Sequence, residues 1–338
     1  MKKIILSLIV ALGLVGCVPS AQLTDKPTVV VSFYILEEFT KRIVGDSVTI
    51  INLMPNGGDA HDFELSVTDR KTIEDADHVL ILGNDFEHWV DDIYTDPLNT
   101  ERVLVVGQNV ETISDPLVNQ VDPHLWLSLR NAITLMETIK DYFSDAYPAL
   151  ADQFETNFNA AKAAFEALDQ EYVSALSQRV RDEFVTNHAA FGYLAKDYGL
   201  VMIPIMGLEP DAEPDAQTLA IMIDTVKVYG IPYILYEDVT DSAVAEVIAE
   251  ATGAKTGILQ PIESLTAQQV ADGEDYLSIM RQNLEWLTKA VTELSGSSRS
   301  ISLTVTKAKP CSMTFLWRSN RASGSSSSGT TGPGKPHC

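Results

Sequence analysis

Cysteine is nearly absent from this sequence of 338 residues. The three cysteines are Cys17, Cys311 and Cys338, so the stretch from 18 to 310 contains none. A disulfide framework and a thiolate metal site are therefore excluded from the body of the chain. Any transition-metal site there has to be built from histidine and carboxylate side chains.

Basic residues are also scarce. The chain has 24 Lys and Arg against 47 Asp and Glu, which gives a formal net charge of −23 at pH 7. A field of this sign argues against nucleic acid or anionic lipid as a partner, and it draws cations towards the surface. The charge alone does not locate a binding site, because acidic surfaces also keep proteins soluble.

A long apolar run occurs only at the N-terminus, in MKKIILSLIVALGLVGC. Two lysines and an apolar run of about a dozen residues are typical of a signal peptide, and the run is too short to span a membrane. We predict a signal peptide at 1–17 and a tether at 18–27. The last four residues of the signal, up to Cys17, resemble a bacterial lipobox, so Cys17 is expected to carry a lipid anchor. An ordinary signal peptide that contains a cysteine is the alternative.

Short apolar runs alternate with amphipathic stretches along the rest of the chain. This order predicts βαβ units and hence an α/β fold with parallel sheets. The alternation is interrupted after Pro148 by a long helical pattern free of Gly and Pro, and it then restarts. We therefore predict two lobes joined by one long rigid helix, with a ligand cleft between them. The predicted boundaries are 28–145 for the N-terminal lobe, 146–180 for the linking helix and 181–295 for the C-terminal lobe.

Three of the six histidines share one position in this pattern, because each follows a strand or extended segment. They are His61 in GGDAHDFELS, His124 in VDPHLWLSL and His188 in TNHAAFG. Glu263, in QPIESLT, follows the last predicted strand. Imidazole and carboxylate groups suit Zn²⁺, and two candidate ligands fall on each lobe. Such wide spacing carries no specificity by itself, so isolated structural histidines remain the alternative at this point.

Several longer sequence motifs resemble those of a known family. DAHDFELS, DPHLWLSL, TNHAAFGYLAKDYGL, GLEPDAEPD and GEDYLSIMRQNLEWL resemble the cluster A-I metal-binding lipoproteins of bacterial ABC importers, over residues 28–290. The resemblance implies a metal ion held between two lobes by His61, His124, His188 and Glu263. A third histidine at the position of His188 is typical of zinc members, whereas manganese members usually carry a carboxylate there.

The resemblance also implies a function. It predicts an extracytoplasmic, lipid-anchored monomer that captures Zn²⁺ and delivers it to an ABC permease and its ATPase. We expect no enzymatic activity, because a zinc ion with four protein ligands lacks the open position that catalysis needs. Mn²⁺ is the alternative cargo. A zinc hydrolase with Glu263 as general base and an adhesin lipoprotein are the alternative functions.

Two further acidic residues are assigned to the surroundings of this site. Asp122 is expected to orient a ligand imidazole, with a simple turn-forming role before Pro123 as the alternative. Glu237, at the end of a predicted strand, is expected to complete the site if Glu263 does not. The sequence departs from the zinc members in two places: the acidic loop before His124 has no histidine, and Leu129 stands where proline is common.

The C-terminal segment 296–338 differs from the rest of the chain. It has six Lys or Arg, no acidic residue and a Ser/Gly-rich run, a composition that predicts disorder. The family resemblance ends before it, so we expect it to be dispensable for metal binding. Of the remaining histidines, His78 is predicted to be structural and His88 to lie on the surface.

Overall fold

A computed structural model describes residues 26–58, 60–90, 102–115, 120–208, 214–237 and 243–294. The predicted signal peptide with Cys17, nearly all of the tether and the segment 296–338 lie outside these ranges. Within the ranges, no helix combines the length and the apolar character needed to traverse a bilayer.

The N-terminal lobe is built on a four-stranded parallel sheet with the strand order β2-β1-β3-β4. Its strands are β1 (Thr28–Val31), β2 (Thr49–Asn52), β3 (His78–Ile81) and β4 (Val103–Val105). Helix α1 (Tyr34–Val44) joins β1 to β2, and α2 (Val67–Asp75) precedes β3. A short antiparallel pair follows, formed by β5 (Ser114–Asp115) and β6 (Gln120–Val121). The valines of the central strand β1 are fully buried, as expected for a parallel sheet covered on both faces.

Two long helices follow the first sheet. Helix α3 (Leu129–Ala146) ends before the 3-10 turn Pro148–Leu150, and α4 (Ala151–Leu176) then runs for 26 residues without interruption. The Pro148 ring restricts the backbone to the start of a helix, which accounts for the break between α3 and α4. Helix α4 is the predicted linking helix.

The C-terminal lobe repeats the topology of the first. Its sheet has the order β10-β9-β7-β8 and consists of β7 (Glu183–Thr186), β8 (Val201–Pro204), β9 (Tyr233–Tyr236) and β10 (Lys255–Ile258). In both lobes, the first strand therefore lies between the second and the third. The helices are α5 (Gly192–Tyr198), α6 (Ala216–Tyr229), α7 (Ala243–Thr252), α8 (Ala267–Asp272) and α9 (Tyr276–Thr292).

Helix α4 packs against helices of both halves of the chain. Phe165 of α4 contacts Phe39 of α1 edge-on, with ring centroids 5.8 Å apart, and stacks on Tyr276 of α9 at 5.1 Å. Arg42 of α1 also pairs with Asp275, the N-cap of α9, at 2.7 Å. The predicted α/β fold, with two parallel-sheet lobes and a long linking helix, is confirmed.

Candidate metal centre

Three of the candidate ligands lie in the segments that follow parallel strands, where open α/β sheets bind ligands, and His124 follows the antiparallel strand β6. His61 lies in the loop after β2, and His124 lies before the 3-10 turn Leu125–Leu127 that leads into α3. His188 comes two residues after β7, at the start of the 3-10 turn Ala189–Phe191 that leads into α5. Glu263 follows β10. Side chains from both lobes meet here, since His61 and His124 of the first lobe lie close to His188 and Glu263 of the second.

The three histidines are close enough to bind one ion. One ring nitrogen from each of His61, His124 and His188 lies within 4.8 Å of the others. The Nε2 atoms of His61 and His124 are 3.2 Å apart. The Oε1 atom of Glu263 lies 3.5 Å from Nε2 of His61 and 3.9 Å from Nε2 of His124. Three imidazoles and one carboxylate are therefore gathered in one place.

This cluster is almost completely shielded from solvent. His124 and His188 are fully buried, and the side chains of His61 and Glu263 are 5% and 9% exposed. Three imidazoles and a carboxylate in such a place are expensive to bury without a compensating partner. The arrangement fits the preference of Zn²⁺ for nitrogen and oxygen donors in a tetrahedron.

Asp122 and Glu237 each contact the Nδ1 atom of one of these rings. Oδ1 of Asp122 lies 2.9 Å from Nδ1 of His124 and also accepts the backbone N–H of His124. Oε1 of Glu237 lies 2.8 Å from Nδ1 of His188. A carboxylate on Nδ1 sets the tautomer and orientation of a ligand ring and leaves Nε2 for the metal. Glu237 is thus placed to orient His188, whereas Glu263 points at the other histidines.

His188 makes a second hydrogen bond that the sequence did not indicate. Its Nε2 lies 2.9 Å from the carbonyl oxygen of Leu208. A carbonyl only accepts, and the Glu237 carboxylate also accepts, so both ring nitrogens of His188 carry protons in this arrangement. No sequence pattern marks a backbone carbonyl, because every residue has one.

The ionisation of the cluster follows from burial and charge. Burial lowers the pKa of His188, but the hydrogen bond and charge of Glu237 outweigh it and raise the pKa to about 9. Burial and the neighbouring His188 hold the pKa of His124 well below its usual range. Burial raises the pKa of Glu263, but the hydrogen bond and charges of the histidines, His61 first, lower it to about 2. Burial raises the pKa of Asp122 to about 7, against its hydrogen bond from the His124 backbone.

The segment that carries Glu263 is attached to the opposite lobe. The indole Nε1 of Trp126 donates to the carbonyl of Pro261 at 2.6 Å, and Oγ of Ser264 donates to the carbonyl of Gly58 at 2.8 Å. The backbone N–H of Ala60 donates to Oε2 of Glu263 at 3.3 Å. Trp126 is fully buried, so it both fills the core and holds this segment.

The residue before Glu263 adopts an unusual backbone conformation. Ile262 has a φ of +60°, in the left-handed region that β-branched residues rarely enter. Residues held in this way cluster at functional sites, where the surrounding contacts maintain the strain. The sequence gives no sign of it, since glycine or asparagine is the usual residue at such a position.

The two histidines assigned elsewhere lie apart from the cluster. His78 begins β3, at the opposite end of the strand from the metal centre, and its ring nitrogens contact the hydroxyls of Tyr142 and Tyr147 at 2.7 Å and 2.6 Å. His88 is exposed. Cys17 lies outside the described residues.

Comparisons with known proteins agree on one family. A family model described as the periplasmic zinc-uptake complex component A, ZnuA, matches residues 29–290. The zinc-binding protein AdcA of Streptococcus pyogenes serotype M1 is 37% identical over an alignment of 294 residues that covers 80% of this chain. This chain spans only 57% of the length of that relative.

Two solved structures share the fold. The Zn(II)-bound ZnuA-like domain of Streptococcus pneumoniae AdcA has a TM-score of 0.71 at 35% identity, covering 80% of this chain and 100% of that one. The laminin-binding protein Lmb of Streptococcus agalactiae, described as a bifunctional protein with adhesin and metal-transporting activity, has a TM-score of 0.72 at 31% identity, covering 79% of this chain and 99% of that one. The chain therefore belongs to the ZnuA family of solute-binding proteins.

Proposed function

We propose that this protein is the zinc-binding component of an ABC importer. It captures Zn²⁺ with His61, His124, His188 and Glu263 and delivers the ion to a membrane permease that is driven by its ATPase. The observation that carries the proposal is the convergence of three imidazole nitrogens and one carboxylate oxygen between the two lobes. The membership of the ZnuA family supports it.

The donor set favours zinc over manganese. Three of the four donors are imidazole nitrogens, and Mn²⁺ prefers carboxylate, carbonyl and water oxygens. Three neutral imidazoles and one carboxylate leave a bound Zn²⁺ site with a net charge of about +1. Asp122 and Glu237, which contact the outer nitrogens of two ligand rings, reduce that charge further.

The protein acts as a carrier and not as an enzyme. Four protein ligands complete the tetrahedron of zinc, so no position is left for the water molecule that a hydrolase activates. Glu263 lies within reach of two histidine nitrogens, as a ligand does, and is therefore not available as a general base.

The site of action is outside the cytoplasm. The lipid on Cys17 of the predicted lipobox anchors the protein to the cell membrane, so that the two lobes stay near the permease. Release requires the coordination shell to open. Because the ligands come from both lobes, a shift of one lobe against the other separates them.

Metal analysis of the purified protein tests this proposal. We expect about one zinc ion per chain, a tetrahedral coordination geometry and no activity against ester, peptide or phosphate substrates. Competition between Zn²⁺ and Mn²⁺ in a titration should strongly favour zinc. A protein that binds no transition metal, or that prefers Mn²⁺, contradicts the assignment.

A role in adhesion is a second candidate. It is favoured by the similarity to the laminin-binding protein Lmb, which is described as both adhesin and metal transporter. Binding of immobilised laminin before and after chelation of the metal tests it. Binding that survives chelation supports an adhesive surface separate from the metal centre, and no binding in either state excludes this candidate.

A further inference from the structure

Tyr193 belongs to the C-terminal lobe, but its hydroxyl lies inside a loop of the N-terminal lobe. The hydroxyl donates to the carbonyl of Asp122 at 2.8 Å and accepts the backbone N–H of Ile113 at 3.1 Å. The N–H of Asp122 in turn donates to the carbonyl of Ile113 at 2.9 Å. Tyr193 is only 2% exposed. Its hydroxyl therefore closes the base of the loop that leads to His124.

Gly192, the neighbour of Tyr193, touches the side chain of the same aspartate. A Cβ atom on Gly192 would lie 2.5 Å from Oδ2 of Asp122 and 2.9 Å from the side chain of Ile113. The other oxygen of Asp122 contacts Nδ1 of His124. Only a residue without a side chain allows α5 to approach this closely, so the packing at Gly192 limits where Asp122, and with it His124, can lie.

The far end of α5 is attached to the N-terminal lobe as well. Oγ of Ser128 donates to Oδ2 of Asp197 at 2.5 Å, and Ser128 is the N-cap of α3. The two attachment points lie on either side of His124 in sequence, at Asp122 and Ser128. Helix α5 begins only four residues after His188, through a 3-10 turn whose residues are all buried. One short segment thus connects the surroundings of two ligands from different lobes.

We propose that α5 is a brace between the lobes, in which Tyr193 and Gly192 are positioning residues that set the place of His124 relative to His188. Neither residue touches the ion. The inference rests on the proposed function, because it assigns these residues a role only if both histidines bind the metal. It predicts that loss of one hydroxyl at Tyr193 changes the coordination geometry without removing a ligand.

The test compares two tyrosine-to-phenylalanine variants of the full chain. Tyr193→Phe removes the hydroxyl that holds the Asp122 loop. Tyr172→Phe is the matched control, because Tyr172 is also buried and its hydroxyl donates to a single carbonyl, that of Met280, at 2.6 Å. Zinc affinity is measured by competition with a chelating dye, and the coordination geometry by the visible absorption spectrum of the Co²⁺-loaded protein.

We expect Tyr193→Phe to lower zinc affinity about tenfold, at the lower end of the range for groups that orient metal ligands. Its Co²⁺ spectrum should differ from that of the unsubstituted protein, while Tyr172→Phe should match the unsubstituted protein in both measurements. An unchanged spectrum for Tyr193→Phe overturns the inference, because a purely structural hydroxyl affects folding and not geometry. If the unsubstituted protein binds neither Zn²⁺ nor Co²⁺, the proposed function fails first and the inference falls with it.

Gly192→Ala tests the same brace by adding a methyl group to α5. The new methyl group would force α5 and the Asp122 side chain apart, so we expect weaker zinc binding and an altered Co²⁺ spectrum here too. Circular dichroism confirms that each variant is folded before its metal binding is compared. A Gly192→Ala protein that is folded and has an unchanged affinity and spectrum counts against the brace.

Discussion

The two lobes have the same sheet topology but use its carboxyl edge differently. In the N-terminal lobe, His61 lies nine residues after β2, and His124 lies nineteen residues after β4, beyond the short antiparallel pair β5-β6. In the C-terminal lobe, His188 and Glu263 lie two residues after β7 and five residues after β10. The candidate ligands of the N-terminal lobe therefore lie farther along the chain from their parallel sheet than those of the C-terminal lobe.

A buried glutamate follows the third strand in both lobes, and its partners differ. Glu87 accepts hydrogen bonds from Oγ of Ser32 at 2.7 Å and from the backbone N–H groups of Leu82 and Gly83. Glu237 instead contacts Nδ1 of His188. Ser32 and His188 both follow the first strand of their sheet. The glutamate at the equivalent position therefore contacts a serine in one lobe and a candidate metal ligand in the other.

The shared fold thus places a glutamate at the same position in both lobes, and the groups that contact it determine its role. Burial raises the pKa of Glu87, although the hydrogen bond from Ser32 and those from the backbone oppose it. A carboxylate whose partners are hydroxyl and amide groups stabilises the local fold. A carboxylate whose partner is an imidazole controls the basicity and orientation of that ring.

Removal of a ligand histidine is expected to have the largest effect. His188→Ala should reduce zinc affinity by more than the about 100-fold that is the upper range for groups that only orient ligands. Isothermal titration with a competing chelator measures the loss. His88→Ala is the control, because His88 is exposed and lies outside the cluster. Equal affinities for the two variants would remove His188 from the site.

The glutamate pair offers a direct test of the comparison between the lobes. Glu237→Gln should lower zinc affinity by about 10-fold to 100-fold, because it weakens the group that orients His188. Glu87→Gln should leave the affinity unchanged but reduce the free energy of unfolding by about 1–3 kcal/mol, because the amide nitrogen that replaces Oε2 cannot accept the N–H of Gly83. Chemical denaturation and metal titration of both variants give the two quantities. If both variants changed zinc affinity and stability alike, the two glutamates would not have different roles in the two lobes.

The affinity for zinc should depend on pH through His188. Its pKa is raised to about 9, so zinc competes with a proton at pH 7, and the affinity should rise about tenfold from pH 7 to pH 8. The raised pKa also stabilises the metal-free fold fully below pH 6.5, and this contribution is lost as the pH rises through about 9. Calorimetry in buffers of different ionisation enthalpy measures the proton that is released.

Glu237→Gln serves as the control for this pH dependence. It removes the charge that raises the pKa of His188, so the rise in affinity should move to lower pH. A pH-independent affinity of the unsubstituted protein between pH 7 and pH 8, without proton release, would contradict the protonated state of His188.

Removal of residues 297–338 is expected to have the smallest effect. The candidate ligands and their hydrogen-bond partners all lie before residue 264. Zinc affinity and stoichiometry of the shortened chain should therefore equal those of the full chain in the same titration. A large loss of affinity would show that residues 297–338 contribute to the metal site together with the two lobes.

Much of the site could be predicted because its residues carry chemical information. With no cysteine between 18 and 310, only histidine and carboxylate side chains could form it, and His61, His124, His188 and Glu263 all follow strands. The alternation of strands and helices predicted both sheets, and the long helical pattern after Pro148 predicted α4. The domain boundaries and the lipid on Cys17 stay predictions.

The rest of the site could not be predicted because it depends on backbone groups and on close approach. The carbonyl of Leu208, the N–H of Ala60 and the conformation of Ile262 have no signature in the side-chain pattern. The contact of Gly192 with Asp122 joins residues seventy positions apart. Glu237 was assigned as a substitute ligand, and only its distance to Nδ1 of His188 indicates an orienting role.

By itself, the sequence determined the class of fold and the chemistry of the site, because local periodicity and residue type are properties of the chain. Only the tertiary structure decided that Glu263 lies among the candidate ligands, that Glu237 contacts the Nδ1 atom of His188, and how α5 connects the two lobes. The physical reason is that hydrogen bonds and van der Waals contacts act over a few ångströms, so their partners are defined only after distant segments have packed together.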